Sequence, residues 1–448
     1  MVKLFKLHKF FGLLVGLFLL VLGLTGFFIN NRQWNFLYTT TVGNVPNTTL
    51  TEDKKLFEAY WVDSEDTDHI IVGGKRGIFE TFDEGETYSQ MTDLQCLAIK
   101  TDANTSYAAT SDGIYVLKDE KWNPYALQGN YVNALSVTDK YMLASIDKHR
   151  LLLIKRDDAS VVSDTVVKID ASQLQDDITL KNLIKDLHFG RGLLDGKLSA
   201  LLNDYGALVL IFLSLSGYLV WWYIHLKKKA EMSRKLIKWH ANSVVVLAFI
   251  PLTILAVTGI FLNHSGGLKK FMTETVVPHS VLPPVYSSLT SDIWSVDFDG
   301  TTYRIGNRYG VYKSTDLKSW KQETKGFAYR MARIDGVLYV SVKDGSNRFY
   351  DGVWKTLEDV PYTFKDAYDY DDEVKFFTYK HYEGMMPEFE DATLFSTLRT
   401  IHGGVFMAPW WKWINDFVAI ALLILGFTGI SRWIHKKRLF SKRTPKQE

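Results

Sequence analysis

Polar sequence is broken four times by apolar runs, near residues 10–29, 207–224, 242–262 and 417–434. Each is about 18–21 residues long, the length a helix needs to cross ~30 Å of hydrocarbon. The long stretches between them have a different rhythm. Ile70-Ile71-Val72-Gly73-Gly74, then Gly77-Ile78-Phe79-Glu80-Thr81, reads strand, turn, strand. Gly113-Ile114-Tyr115-Val116 and Gly310-Val311-Tyr312 repeat the theme. Short runs of β-branched and aromatic residues, punctuated by Gly and Asp, are the pattern of an antiparallel β domain. Asp83-Glu84-Gly85-Glu86-Thr87 resembles the Asp-box turn of propeller blades, and Thr315-Asp316-Leu317-Lys318-Ser319-Trp320 is a degenerate copy. The expected fold is a four-helix transmembrane bundle plus a β-rich domain, propeller-like or sandwich-like, built from two loops.

The expected boundaries follow the pattern. Residues 1–31 form the first transmembrane helix, 32–186 the first part of the outer β-rich region, and 187–226 an interfacial helix with the second span. A basic link at 227–239 leads to the third span, 240–264. The second β-rich part is 265–396, an interfacial helix and the fourth span are 397–435, and a basic tail is 436–448. The interfacial helices are expected at 181–202 and 396–412. Pro251 is expected to kink span three. Gly12, Gly16, Gly23 and Gly26 fit close helix packing in span one.

Charge adds an orientation. The net charge of the 448 residues is only +2, but its distribution is uneven. Lys3, Lys6 and Lys9 precede the first span; Lys227, Lys228, Lys229, Arg234, Lys235 and Lys238 fill the link; Arg432, Lys436, Lys437, Arg438, Lys442 and Arg443 crowd the C-terminus. The positive-inside rule puts these segments in the cytoplasm and both long loops outside. Trp221, Trp222, Trp239, Trp410, Trp411, Trp413 and Trp433 lie at span ends, as an aromatic belt does. The first run is read as a retained span, because Asn30-Asn31-Arg32-Gln33-Trp34 follows it with no small-residue cleavage pattern. Nothing in the charge pattern points to nucleic acid. The single cysteine, Cys96, excludes an internal disulfide.

The chain repeats itself in the order A, B, A, B. Leu7-His8-Lys9 opens a run ending Thr25-Gly26-Phe27-Phe28-Ile29-Asn30-Asn31, and Trp239-His240-Ala241 opens one ending Thr258-Gly259-Ile260-Phe261-Leu262-Asn263-His264. Leu187-His188-Phe189-Gly190 leads through Asn203-Asp204 to Ser216-Gly217, and Ile401-His402-Gly403-Gly404 through Asn415-Asp416 to Thr428-Gly429. Four histidines at repeat-equivalent places beside a bilayer have the chemistry of metal or haem ligands. A b haem takes two axial nitrogens from opposite sides. If an axis along the membrane normal relates the halves, His8 faces His240 at one end and His188 faces His402 at the other. His225, His435 and His264 stay open as alternative ligands, and so does ligation within each half, such as His8 with His225.

At these residues the chain resembles the PepSY-associated transmembrane family of bacterial inner-membrane proteins. Leu7-His8-Lys9-Phe10-Phe11-Gly12 with Leu24-Thr25-Gly26, and Leu187-His188-Phe189-Gly190-Arg191-Gly192 with Ser216-Gly217-Tyr218-Leu219-Val220-Trp221-Trp222, carry the likeness, with second copies around His240 and His402. Members include haem-containing reductases of ferric siderophores and an iron reductase that promotes ferrous iron uptake. The resemblance implies two b haems and electron transfer to ferric iron or a ferric chelate. The outer loops show no PepSY module, a departure that bears on the substrate more than on the redox core.

No Gly-rich dinucleotide fingerprint follows a strand on the cytoplasmic side. Reduced flavin, a flavin reductase or quinol is the expected donor, and a ferrous iron transporter an expected partner; a homodimer is left open. A candidate iron site precedes His402: Tyr370, Asp371, Asp372, His381, Glu383, Met385 and Met386 offer hard oxygens for Fe(III) and softer donors for Fe(II). Arg308 and Arg348 offer an alternative hold on an anionic chelate. A metal permease would carry ionisable groups inside the spans, and these have almost none before Arg432. A non-redox accessory or sensor protein, its β domain binding a partner, is the other class open.

Overall fold

The computed structural model describes residues 2–102, 105–226, 229–360, 363–370, 373–378 and 386–441. They divide into two compact units, one drawn from 1–31, 178–277 and 398–448, the other from 32–177 and 278–397.

The first unit holds four helices long and apolar enough to cross a membrane: Leu4–Asn30, Leu198–His225, Ser243–Asn263 and Pro409–His435. Besides the short helix Lys269–Glu274, its α-helices in chain order are α1 (Val2–Asn30), α2 (Leu180–His188), α3 (Lys197–His225), α4 (Ala230–His240), α5 (Ser243–Leu247), α6 (Phe249–Asn263), α7 (Leu394–His402, which begins in the other unit) and α8 (Lys412–Ser441). α1 packs on α3 and α8, and α6 packs on the same two, so the four spans close a ring. Its seam is aliphatic: Val15 and Leu19, Val209 and Leu210, Ala248 and Leu252, Val418 and Ala421. In lipid such packing depends on close backbone approach more than on water exclusion. A Cβ on Gly16 would stand 2.9 Å from the Tyr218 ring, and one on Gly23 3.0 Å from Ile211.

Three local features differ from the sequence reading. The third span breaks at Ala248 between α5 and α6, three residues before Pro251. The proline ring excludes the carbonyl four residues back, that of Leu247, so the interruption belongs there. The expected interfacial helices are both interrupted: within 181–202 α2 stops at His188 and 197–202 are the start of α3, and within 396–412 α7 stops at His402 and α8 begins only at Lys412. Gly190 and Gly196, between α2 and α3, take positive φ, 65° and 59°, which helix cannot. The basic link is largely helical, as α4, while Lys227 and Lys228 lie outside the described residues. Residues 178–186 and 265–277 also join this unit, tied by Ile178–Thr179 pairing antiparallel with Val276–Val277.

The second unit is a β-propeller. Five four-stranded antiparallel meanders follow one another, and a sixth has two strands among the described residues, Phe364–Tyr370 and Glu373–Thr378. The first strands, Phe57–Val62, Cys96–Asp102, Val132–Val137, Ser295–Phe298, Phe327–Ile334 and Phe364–Tyr370, touch in that order, and the last returns to the first. Each loop therefore supplies three blades. The two Asp-box segments sit at equivalent places, between the third and fourth strands of blades one and four. Asp83 accepts from the Thr87 amide (2.9 Å) and Asp316 from the amides of Lys318 (2.9 Å) and Ser319 (2.8 Å). Cys96 is fully buried between the first two blades, and burial pushes its thiol well above the usual range.

Candidate functional site

The first unit brings four histidines together as two pairs. His8 on α1 and His240 at the end of α4 have ring centres 6.3 Å apart, with planes at 88°. His188 at the end of α2 and His402 at the end of α7 have centres 6.4 Å apart, at 57°. Two imidazoles bonded from opposite sides to one metal at about 2.0–2.1 Å, with roughly 1.1 Å from each nitrogen to its ring centre, would stand about 6.3 Å apart. Both pairs match that separation.

Every ring is oriented by a hydroxyl from a span. His8 Nδ1 lies 2.9 Å from Thr428 Oγ1, and His240 Nδ1 2.7 Å from Ser216 Oγ. His188 Nδ1 lies 3.0 Å from Thr258 Oγ1, and His402 Nδ1 2.9 Å from Thr25 Oγ1. These are the Thr-Gly and Ser-Gly steps that close the four apolar runs. The glycine after each hydroxyl faces the same imidazole: a Cβ on Gly429, Gly217, Gly259 or Gly26 would meet Cε1 of His8, His240, His188 or His402 at 3.6, 3.6, 3.5 and 3.2 Å. A small residue leaves room for the ring to come close to the helix. The sequence held these steps but not their pairing, because each histidine is met by a hydroxyl from the other half of the repeat.

The backbone behind His188 and His402 is held identically. Asn203 Nδ2 donates to the His188 carbonyl and Asn415 Nδ2 to the His402 carbonyl, each at 2.9 Å. Gly190 and Gly404, two residues after each histidine, take φ of 65° and 75°. A Cβ there would stand 2.9 Å and 2.8 Å from the Asn203 and Asn415 amides. The next residues lock neighbouring spans. Asp204 accepts from Asn30 (2.7 Å) and Asn31 (3.1 Å), and Asp416 pairs with Asn263 (3.1 Å) and His264 (2.5 Å). Burial among the helices lowers the proton affinity of His188 and of His402, and for His188 the neighbouring His402 adds to it. Both therefore rest as neutral imidazoles, the form that ligates metals.

The other candidates lie elsewhere. His225 Nε2 is 2.9 Å from Lys9 Nζ and its Nδ1 donates to the Trp221 carbonyl at 3.0 Å. His435 is exposed on α8. His264 is engaged by Asp416 and packs on Trp413 with centres 4.4 Å apart. None of the three joins either pair. Of the candidate iron site, Met386 is buried in a blade-one cluster with Phe57, Tyr60 and Phe79, and Tyr370 packs against the same cluster. Asp371, Asp372, His381, Glu383 and Met385 lie outside the described residues. Among the described residues no group of three or more His, Cys, Asp or Glu is arranged to hold a metal ion. Arg308 is engaged by Asp292, through Nε and its own amide, each at 2.9 Å.

The family described as PepSY-associated TM region matches residues 5–436. No curated protein matches the chain. Among solved structures, an ancestral GH74 enzyme is similar over 69% of this chain and 32% of its own, at 11% identity and a TM-score of 0.32. The chain thus spans about a third of that protein's length. The Pan2 WD40 domain of Neurospora crassa is similar over 68% and 65%, at 11% identity and a TM-score of 0.28. BamB of Moraxella catarrhalis is similar over 62% and 68%, at 11% identity and a TM-score of 0.27.

Proposed function

The chain belongs to the PepSY-associated TM region family, and from that premise we propose that it is a two-haem membrane protein that delivers electrons across a bilayer to ferric iron or a ferric chelate. The observation that carries the reading is the close pair of imidazoles at each end of the helix ring, with centres 6.3 Å and 6.4 Å apart. His8 and His240 would hold one b haem, and His188 and His402 the other. Bound there, haem would supply one-electron chemistry, and the four imidazoles would hold it.

The protein's own residues supply the rest. His8 and Thr25, the partner of His402, lie on one helix 25 − 8 = 17 residues apart, a rise of roughly 25 Å. The two pairs therefore lie near opposite ends of the spans. Between these levels the aliphatic seam of Val15, Leu19, Val209, Leu252 and Val418 keeps water out. The His8/His240 end is the lysine-rich one, with Lys6 and Lys9 on α1 and Arg234, Lys235 and Lys238 on α4. By the positive-inside rule that end faces the cytoplasm of a bacterial inner membrane. Reduced flavin, a flavin reductase or quinol would serve as donor there. Ferric iron or its chelate would be reduced on the periplasmic side, where a ferrous iron transporter is a fitting consumer.

The test is an absorption spectrum of the detergent-purified protein, oxidised and then dithionite-reduced, with haem quantified per chain. Two b haems per chain, reoxidised by a ferric chelate, is the expected result. A correctly folded protein that purifies colourless from haem-replete cells would overturn the proposal.

A further inference from the structure

We propose that Thr25, Ser216, Thr258 and Thr428 are positioning residues that fix which imidazole nitrogen faces the metal and set the electron affinity of each centre. The inference rests on the two-haem reading and deepens it.

A hydroxyl has one hydrogen to give and two lone pairs to receive. In all four residues the hydrogen is directed down the residue's own helix. Thr25 donates to the Val21 carbonyl at 2.8 Å, Ser216 to Phe212 at 2.6 Å, Thr258 to Ile254 at 2.6 Å and Thr428 to Ile424 at 2.8 Å. A hydroxyl committed in this way can only accept from the imidazole beside it. Nδ1 of His402, His240, His188 and His8 is therefore the N–H, and Nε2 keeps the lone pair. The tautomer is thus set by the helix backbone, relayed through one hydroxyl.

This arrangement has an electronic consequence. An imidazole that donates its distal N–H is a more basic ligand. The accepting hydroxyl is strengthened because hydrogen bonds in a chain polarise one another. More electron density on the ligand favours the ferric state, so the hydroxyls hold the potentials down. Removing one should make its centre easier to reduce. Helix Ser and Thr commonly donate to a carbonyl four residues back. In this protein the same oxygen also receives a histidine, in all four copies.

The experiment is a spectroelectrochemical titration of the full-length protein in detergent, with haem counted, for wild type, Thr428→Val and Thr428→Ser. Valine keeps the shape and removes the acceptor; serine keeps the acceptor. Thr428→Val should shift one of two centres toward the reduced state by about tenfold, 59 mV for one electron, while Thr428→Ser stays near wild type. Loss of one haem in the valine variant with retention in the serine variant also supports the inference. A valine variant with two haems at wild-type potentials, or a serine variant that behaves like valine, overturns it while the two-haem reading stands. A wild-type protein without haem overturns both.

Discussion

Replacing Gly26 with alanine should disturb one imidazole pair and spare the other, and the size of the effect follows from four distances. The added Cβ would stand 3.2 Å from His402 Cε1 and 3.7 Å from its Nδ1. At Gly217, Gly259 and Gly429 the equivalent distances to Cε1 are 3.6, 3.5 and 3.6 Å. Carbon atoms rest at about 3.5–4.0 Å, so three sites accept a methyl and Gly26 demands a displacement of about 0.3 Å. His402 has little freedom to give it. Its Nδ1 is held by Thr25 at 2.9 Å and its carbonyl by Asn415 at 2.9 Å. Straining such a bond costs up to about 1 kcal/mol, while glycine to alanine inside a helix returns about 1 kcal/mol. Global stability should barely move, and the strain should appear in the His188/His402 centre. The assay is a redox titration of both centres alongside thermal melting in detergent. Gly26→Ala is expected to shift one centre with the melting temperature nearly unchanged, and Gly429→Ala to shift neither. Equal shifts from both variants, or none from Gly26→Ala, would refute the steric argument.

Four further outcomes are expected. Alanine at His8, His188, His240 or His402 should each lower haem content, while His225→Ala and His435→Ala retain two haems per chain; full retention in all four would reject the ligand assignment. Asn415→Ala removes the 2.9 Å bond to the His402 carbonyl and should destabilise by about 1–2 kcal/mol, read as faster haem loss to apomyoglobin; unchanged loss would show that Gly404 alone holds the turn. Gly426→Ala puts a Cβ 2.0 Å from Phe249 Cε2 and should cost about 1–3 kcal/mol, with Phe249→Ala restoring the double variant in detergent melting; absence of rescue would place the fault elsewhere. In the propeller, the hydrogen bond to Glu80 (2.8 Å) and then Asp63 raise the His69 pKa against the opposing effect of burial. A raised folded pKa gives stability that is complete below the unfolded value near ~6.5 and lost as pH rises through the folded value. His69→Gln should remove that part of the alkaline fall in melting temperature; an unchanged pH profile would mean the pair contributes nothing.

What could be read in the sequence was whatever repeats or whatever a bilayer imposes. Apolar length alone located the four spans, and the duplicated His, Asn-Asp and Thr-Gly steps marked the places where the helices meet. The Asp-box likeness at Asp83 and Asp316 pointed to blades, and both turns adopt it. The blade number was not legible, because it depends on whether Phe364–Tyr370 reaches Phe57–Val62 across some 300 residues, a matter of long-range pairing. The role of the Thr-Gly steps was hidden for a related reason. Thr25 is 377 positions from His402 and Thr428 is 420 from His8, and no local pattern links them. The break at Ala248 was displaced from Pro251 because a proline acts on the carbonyl of the turn before it. His264 stands where the first copy has Asn31, and both residues serve the same kind of aspartate, Asp416 or Asp204.

The crossing of the two halves explains why the repeat is retained inside one ring. Half one supplies His8 and half two the hydroxyl of Thr428; half two supplies His240 and half one the hydroxyl of Ser216. The other end is built the same way, His188 on Thr258 and His402 on Thr25. Each imidazole pair therefore draws two residues from each half, and neither half alone can orient a ring. An isolated half would leave its Nδ1 groups without their hydroxyl partners, at about 1–3 kcal/mol for each that stays buried. Docking the halves and assembling the pairs are thus one event. The spacing of the rings is then set by helix packing at Gly16, Gly23 and Gly426, where backbone or ring contacts leave no room for a side chain. Rigid spans fix the hydroxyls, the hydroxyls fix the imidazoles, and the separation near 6.3 Å is a property of the assembled ring that no single helix carries.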